Sequence, residues 1–154
     1  MRNILATLTI GIVITAIGAF AADNSLGTWK LNMEKSKFTP AAPVKSLTSI
    51  REESDGGVKV TTTGERADGT PINGSYTAKY DGKSYPVTGA PYDSIAVKQV
   101  KPNTFTTEQK NSGTKYSTTV RIAISKDGKT MTSKVKGTDA QGTPVAYTMV
   151  YDKQ

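Results

Sequence analysis

The chain has 154 residues, a formal charge of +7 from 20 Lys and Arg against 13 Asp and Glu, and neither Cys nor His. This length suffices for one domain with a core, and the frequent Thr and Gly favour an all-β protein. The missing Cys excludes disulfides and thiolate metal sites, and the missing His removes the commonest general base, so we expect no enzyme, no metal and no cofactor.

The N-terminus has the pattern of a secretory signal peptide. A positive start at Arg2 precedes an apolar run over residues 4–20, which ends near the small residues Ala19 and Ala21. Signal peptidases read small residues at this spacing. We predict cleavage after Ala21, export to the periplasm or beyond, and a mature charge of +6 once Arg2 is lost from the +7. An uncleaved anchor is the alternative, although the run is short of the ~20 residues that a membrane span prefers.

The first predicted strand lies near the mature start. Trp29, Leu31 and Met33 alternate there with polar residues, as in a strand that buries one face. Residues 34–38 are expected to form one helical turn. Pro40 would end that turn, because proline lacks the backbone N–H donor.

Tight-turn signals recur along the rest of the chain, mostly Asp-Gly and related pairs that supply the positive φ angles of hairpins. They lie at residues 55–57, 68–69, 81–82, 89–91, 102–103, 111–113, 127–128 and 141–142. The segments between them alternate in polarity, and turns about 8–12 residues apart are typical of sandwiches and barrels built from hairpins. In one predicted strand Leu47 and Ile50 cannot share a face without a bulge.

One stretch of the chain occurs twice. Residues 67–81 return as 140–152, two residues shorter, and each copy reads as a turn followed by a strand with a Tyr-x-x-x-Tyr face. Pro71 and Pro144 open the two strands, where a missing N–H costs little. Two related meanders that close on each other remove exposed sheet edges. We therefore predict a signal peptide over 1–21 and a single antiparallel up-and-down β-barrel of about eight to ten strands over 22–154.

The beginning and end of the mature chain resemble a known group of barrels. Gly27-Thr28-Trp29 has the Gly-x-Trp pattern with which lipocalins and other calycins open. The longer opening over 27–38 and the ending Tyr151-Asp152-Lys153 resemble small exported bacterial proteins with lipocalin-like barrels and no established activity. In calycins the Trp packs across the closed end of the barrel beneath the ligand, and an Arg from near the chain's end often covers it. This chain has no Arg after Arg121, which alternation turns outward.

Tyrosines on the predicted inner faces, together with Trp29, are the candidate ligand-binding residues. The tyrosines are Tyr76, Tyr80, Tyr116, Tyr147 and Tyr151. They are either ordinary core or the wall of a cavity that suits an amphipathic ligand. Several other inner positions are small, which favours open space inside the barrel. These positions are Thr62, Gly64, Gly74, Ala78, Thr118, Ser133 and Gly137.

Three functions from different classes remain. Our first prediction is an exported barrel that binds a small apolar or amphipathic ligand; the alternative is a structural or adhesive cell-envelope protein with a filled core. An enzyme comes third, because no carboxylates converge: Glu52 and Glu53 are adjacent and point to opposite faces. The scattered lysines predict a solvated surface rather than a nucleic-acid site. We expect no membrane span after cleavage, and the sequence carries no prediction of oligomeric state.

Overall fold

The computed structural model describes residues 23–154, so the predicted signal peptide lies outside the described residues. Within 23–154 there is no helix, and the chain forms ten strands. The strands are β1 (Gly27–Thr39), β2 (Val44–Ser54), β3 (Gly57–Arg66), β4 (Pro71–Lys79), β5 (Asp81–Thr88), β6 (Ser94–Lys101), β7 (Thr104–Lys110), β8 (Ser117–Ile124), β9 (Thr130–Thr138) and β10 (Pro144–Lys153). The all-β prediction is confirmed, and Pro71 and Pro144 open β4 and β10 as expected.

The strands close into an up-and-down barrel. Each strand pairs antiparallel with the next along the chain, and β1 pairs with β10 to complete the ring. The connections therefore alternate between two ends. The turns after β2, β4, β6 and β8 lie at one end, which we call the floor, together with residues 23–26 and the end of β10. The loops after β1, β3, β5, β7 and β9 lie at the other end, which we call the mouth.

The expected helical turn over 34–38 is wrong, because these residues continue β1. The pairing of β1 with β10 jumps between Asn32 and Lys37, which marks a bulge. The Ser36 hydroxyl bridges it by donating to the Asn32 carbonyl at 2.6 Å and accepting the Val150 N–H at 2.9 Å. The Ser36 side chain thus replaces backbone hydrogen bonds between the two strands at the bulge. The polar composition of this segment also suits a turn, which explains the sequence-based expectation.

The duplicated stretch builds the same mouth loop twice. The Arg66 N–H donates to the Thr70 carbonyl at 2.8 Å, and the Asp139 N–H donates to the Thr143 carbonyl at 2.9 Å. Both loops therefore close over the same span of chain and deliver a proline at the start of the next strand. The repeat in the sequence therefore corresponds to a repeated mouth loop and the strand that follows it.

A glycine precedes each of these two loops, and the backbone requires it. A Cβ added to Gly64 would lie 2.1 Å from the Ser46 carbonyl oxygen, and one added to Gly137 would lie 2.0 Å from the Ser117 carbonyl oxygen. Backbone atoms cannot move aside as a flexible side chain can. The two glycines therefore permit a close approach of neighbouring strands rather than provide cavity space.

Alternation places large apolar residues inside the barrel, and the two largest fully buried side chains, Trp29 and Phe105, lie near the floor. In β8 the residues Thr118, Val120, Ile122 and Ile124 are buried while their neighbours are exposed. In β2 the two apolar residues point in opposite directions. Leu47 faces inward, whereas Ile50 faces solvent and is 41% exposed. The two residues do not share a face, so no bulge is needed between them, and the irregularity of β2 lies earlier, between Val44 and Ser46.

Candidate functional site

The barrel contains a cavity of about 670 Å³. Its wall consists of inward-facing strand residues, and its rim consists of residues from the mouth loops over 40–43, 89–92 and 139–141. Pockets for small molecules commonly measure about 300–1,000 Å³. The interior of the mouth half is therefore open and large enough for a small molecule.

Small side chains account for part of this space. Thr62, Gly74 and Ser133, which were among the predicted small inner positions, line the cavity. Gly74 pairs directly with Thr62 across β3 and β4, so two adjacent strands present little volume at the same height. The largest fully buried side chains, Trp29 and Phe105, do not line the cavity. Bulk is concentrated at the floor, and space remains above it.

Most of the predicted tyrosines belong to the cavity wall. Those that line it are Tyr76, Tyr116, Tyr147 and Tyr151. Tyr92 joins them from the loop after β5, a position that the sequence indicated only as part of a turn. Its ring stacks on that of Tyr116 with centroids 5.7 Å apart, and Tyr147 contacts Phe38 at 6.0 Å. The aromatic rings give the upper wall apolar faces with polar tips.

Burial raises the pKa values of four of the phenols that line the cavity. Burial raises the pKa of Tyr116 and raises the pKa of Tyr92 well above its ordinary value. The pKa values of Tyr147 and Tyr151 are raised by burial first and by a neighbouring tyrosine second. At neutral pH these four hydroxyls are uncharged and can donate or accept hydrogen bonds.

Arg51 and Thr107 are two of the buried polar side chains in the cavity wall, alongside Ser49 and Ser133. Arg51 is 5% exposed and Thr107 is 2% exposed, and both line the cavity. Neither Nε of Arg51 nor Oγ1 of Thr107 has a hydrogen-bond partner among residues 23–154. Sequence reasoning missed Arg51, because a charged residue in an alternating strand is usually assigned to solvent. The available signal was the parity of Leu47, which places Arg51 on the same inner face.

The predicted site residues Trp29 and Tyr80 lie at the floor, outside the cavity lining. The Trp29 indole is fully buried, and its Nε1–H donates to the Ser25 carbonyl at 2.8 Å. The Tyr80 hydroxyl donates to Asp23 Oδ2 at 2.6 Å, and its ring packs on Phe105 with centroids 5.0 Å apart. Burial, followed by the Asp23 hydrogen bond, raises the pKa of Tyr80 to about 12. These contacts hold residues 23–26, which we call the N-terminal segment, across the floor.

Lys153 covers the Trp29 ring from the end of the chain. Its Nζ lies 5.1 Å from the ring centroid, within the range of a cation–π interaction. A Cβ added to Gly27 would lie 2.8 Å from Lys153 Cε, so the glycine leaves room for the lysine stem. The sequence offered no Arg for this place, and a lysine occupies it. The Gly-x-Trp pattern thus has a physical reason in this chain. Gly27 leaves room for the Lys153 side chain, and Trp29 supplies the ring over which its ammonium lies.

Two further observations limit the chemistry of the described residues. Residues 23–154 contain no group of three or more Asp or Glu side chains placed to hold a metal ion. No helix in the same part of the chain is long and apolar enough to cross a membrane.

Comparisons with known proteins support the architecture. No family model matches the chain, and a search of the curated proteins found no match. Among solved structures, the chain is similar to EF1p2_mFAP2b bound to DFHBI, with a TM-score of 0.53 and 11% sequence identity over 87% of this chain and 97% of that chain. At this identity the likeness shows the fold alone. The chain is a closed antiparallel β-barrel of ten strands, and it shares this fold with EF1p2_mFAP2b.

Proposed function

We propose that this barrel is an exported protein that binds a small apolar or amphipathic molecule in its interior. The observation that carries the proposal is the open cavity of about 670 Å³ with its tyrosine wall. The similar barrel EF1p2_mFAP2b is bound to DFHBI in its own structure, which supports a binding role for an interior of this kind. A cell-envelope protein with a filled core is the alternative, and the open cavity favours the binding role over it.

We propose binding without chemical conversion. The chain has no His or Cys, and the acidic residue among those lining the cavity is Asp139 at the mouth. Its Oδ1 accepts the backbone N–H groups of Gln141 and Thr143 at 2.9 and 2.8 Å, so the carboxylate serves the loop. A general base would need a free carboxylate that faces the ligand.

Export and kinship with small exported bacterial lipocalin-like proteins are part of the same proposal. They rest on the positive start, the apolar run over 4–20 and the small residues Ala19 and Ala21. Cell fractionation with N-terminal sequencing tests export. We expect a mature protein that begins at Ala22, and a cytoplasmic product that retains Met1 would contradict the proposal.

A cavity-filling pair of variants tests interior binding. Thr62→Trp places an indole in the cavity, whereas Thr63→Trp places the same group on the exposed side of the same strand. We would titrate fatty acids, retinoid-like dyes and quinones and follow binding by calorimetry or by the dye's own emission. Binding should be lost in Thr62→Trp and unchanged in Thr63→Trp, with circular dichroism to confirm that both variants fold. Equal binding by the two variants would place the ligand outside the cavity.

Two tyrosine variants refine the position of the ligand. Tyr76→Ala and Tyr147→Ala remove rings from the cavity wall on β4 and β10. Each ring offers apolar contact, so each substitution is expected to weaken binding several-fold. Affinities that are unchanged in both variants would move the ligand away from these two strands.

A further inference from the structure

We propose that the cavity binds the carboxylate of an amphipathic ligand through Arg51, with the ligand's apolar part directed toward the mouth. This inference rests on the proposed function, because it uses the same cavity. Arg51 lies on β2, opposite Val60 of β3, and both residues line the interior. Its side chain is 5% exposed, so the guanidinium is a buried charge facing a cavity.

No acidic side chain in the described part of the chain balances this charge. Its Nε has no hydrogen-bond partner, and no carboxylate oxygen of residues 23–154 lies within 4.0 Å of the guanidinium. Glu52 and Glu53, its neighbours along β2, are exposed. Asp23 at the floor instead accepts the hydroxyl hydrogen of Tyr80. The positive charge therefore faces the cavity without a protein counter-ion.

An unpaired buried arginine is costly, and an anionic ligand removes the cost. The guanidinium cannot lose its proton in a protein, so the charge persists. Burial of an uncompensated ion is strongly unfavourable. A carboxylate matches the planar guanidinium with two parallel hydrogen bonds, which are among the stronger hydrogen bonds in proteins.

The surroundings of Arg51 indicate a singly charged head group. Among the cavity-lining residues the other cationic side chain is Arg66, whose Nη1 donates to the Pro71 carbonyl at 2.8 Å near the mouth. One unpaired guanidinium balances one negative charge, which favours a carboxylate over a phosphate dianion. Tyr151 is close enough to feel the charge of Arg51, which lowers its pKa against the effect of burial. Its hydroxyl donates to Met149 Sδ at 3.5 Å, a weak acceptor that an anionic oxygen would replace.

The tail of the ligand has a defined direction. The wall between Arg51 and the mouth carries aliphatic and aromatic side chains, including those of Val44, Leu47 and Tyr147. An apolar chain that runs past them leaves water, and the burial of each CH₂ group stabilises the complex. The head group therefore lies deep in the cavity, and the tail points outward.

The test compares two ligands that differ in charge on three proteins. Dodecanoate and dodecan-1-ol are titrated by calorimetry into the wild type, Arg51→Met and the control Arg121→Met, whose arginine is exposed on β8. We expect the wild type to bind dodecanoate at least about tenfold tighter than the alcohol, as a charge-assisted hydrogen bond implies. Arg51→Met should lose that preference while its affinity for the alcohol is unchanged, and Arg121→Met should behave as the wild type.

Each outcome decides between the two proposals. If the wild type binds both compounds equally, or Arg51→Met weakens both alike, the head-group site is wrong and interior binding stands. If neither compound binds the wild type, the result counts against both proposals. The ligand-free Arg51→Met protein should be at least as stable as the wild type in urea, because an apolar side chain replaces an unpaired buried charge. A marked loss of stability would show that Arg51 has a structural partner and would overturn the inference.

Discussion

The floor and the mouth of this barrel are built from the same strands but differ in how their side chains are used. At the floor Trp29 and Phe105 are fully buried, and Trp29 and Tyr80 each donate a hydrogen bond to the N-terminal segment. At the mouth the tyrosines are only half-buried and face a cavity. The largest buried side chains therefore lie at one end of the barrel, and the open space lies toward the other end.

The duplicated stretch makes the same contrast within one sequence pattern. Each copy supplies two tyrosines on one face of a strand, Tyr76 and Tyr80 in the first and Tyr147 and Tyr151 in the second. Tyr76 and Tyr147 line the cavity, whereas Tyr80 lies at the floor and donates a hydrogen bond to Asp23. Tyr151 is 6% exposed and still reaches the cavity. The first tyrosine of the motif therefore lines the cavity in both copies, whereas the second packs at the floor in the first copy and reaches the cavity in the second.

Removal of the indole at the floor should have the largest effect on stability. Trp29→Ala deletes a fully buried ring and is expected to lower the free energy of unfolding by about 3–5 kcal/mol. Met33→Ala is the matched control on the same strand, because Met33 is 38% exposed and should change stability little. Urea unfolding followed by circular dichroism measures both. A loss below about 1 kcal/mol for Trp29→Ala would contradict a floor that holds the barrel together.

Near the mouth, the backbone rather than the side chains should be the sensitive element. Gly137→Ala would place a Cβ 2.0 Å from the Ser117 carbonyl oxygen and is expected to destabilise the barrel by about 1–3 kcal/mol. Gly113→Ala is the control, because its added Cβ meets only the Asn111 side chain at 3.6 Å, an ordinary contact. Equal stabilities of the two variants by thermal unfolding would show that the strands can separate without cost.

The contrast between floor and mouth could be predicted from the sequence only in part, because the prediction relied on period-2 alternation. It gives the inner and outer faces, and so it placed Val120, Ile122 and the tyrosines inside. It does not give height along the barrel axis, which is why Tyr80 and Trp29 were grouped with the cavity residues. Alternation also places Arg51 on the inner face with Leu47, but a charged residue in a strand usually faces solvent, and sequence reasoning therefore missed it.

The bulge in β1 was beyond the sequence for a different reason. Residues 34–38 are mostly polar and suit a helical turn locally, but pairing with β10 overrides that preference. The cation over the indole was missed because the resemblance directed attention to arginines. Lys153 fills the same place with a different cation.

Burial of Tyr80, together with its hydrogen bond to Asp23, should make the floor sensitive to alkaline pH. The pKa of Tyr80 is raised to about 12 in the folded protein, whereas an unfolded tyrosine titrates at about 10. Between these values the folded chain binds more protons than the unfolded chain, so stability is intact below about pH 10 and falls as the pH rises. Tyr80→Phe should flatten this fall and cost about 1 kcal/mol at neutral pH.

Urea unfolding at a series of pH values measures this dependence. Tyr85→Phe is the matched control, because the Tyr85 hydroxyl donates to Asp81 Oδ2 at 2.8 Å on the exposed surface. That variant should show little change at neutral pH. Identical profiles for Tyr80→Phe and the wild type would mean that the N-terminal segment is not held by this bond.

The smallest expected effect tests whether the charge of Lys153 contributes to the floor or only its stem does. Lys153→Met keeps an unbranched side chain over the Trp29 ring and removes the ammonium 5.1 Å from its centroid, so we expect a loss of about 0.5–1 kcal/mol. Lys126→Met is the control, since Lys126 is exposed in the turn between β8 and β9. Lys153→Arg should retain the stability of the wild type, because a guanidinium also stacks on aromatic rings. Equal stability of Lys153→Met and the wild type in urea would assign the contact to packing of the stem against Gly27 and the indole, with no part for the charge.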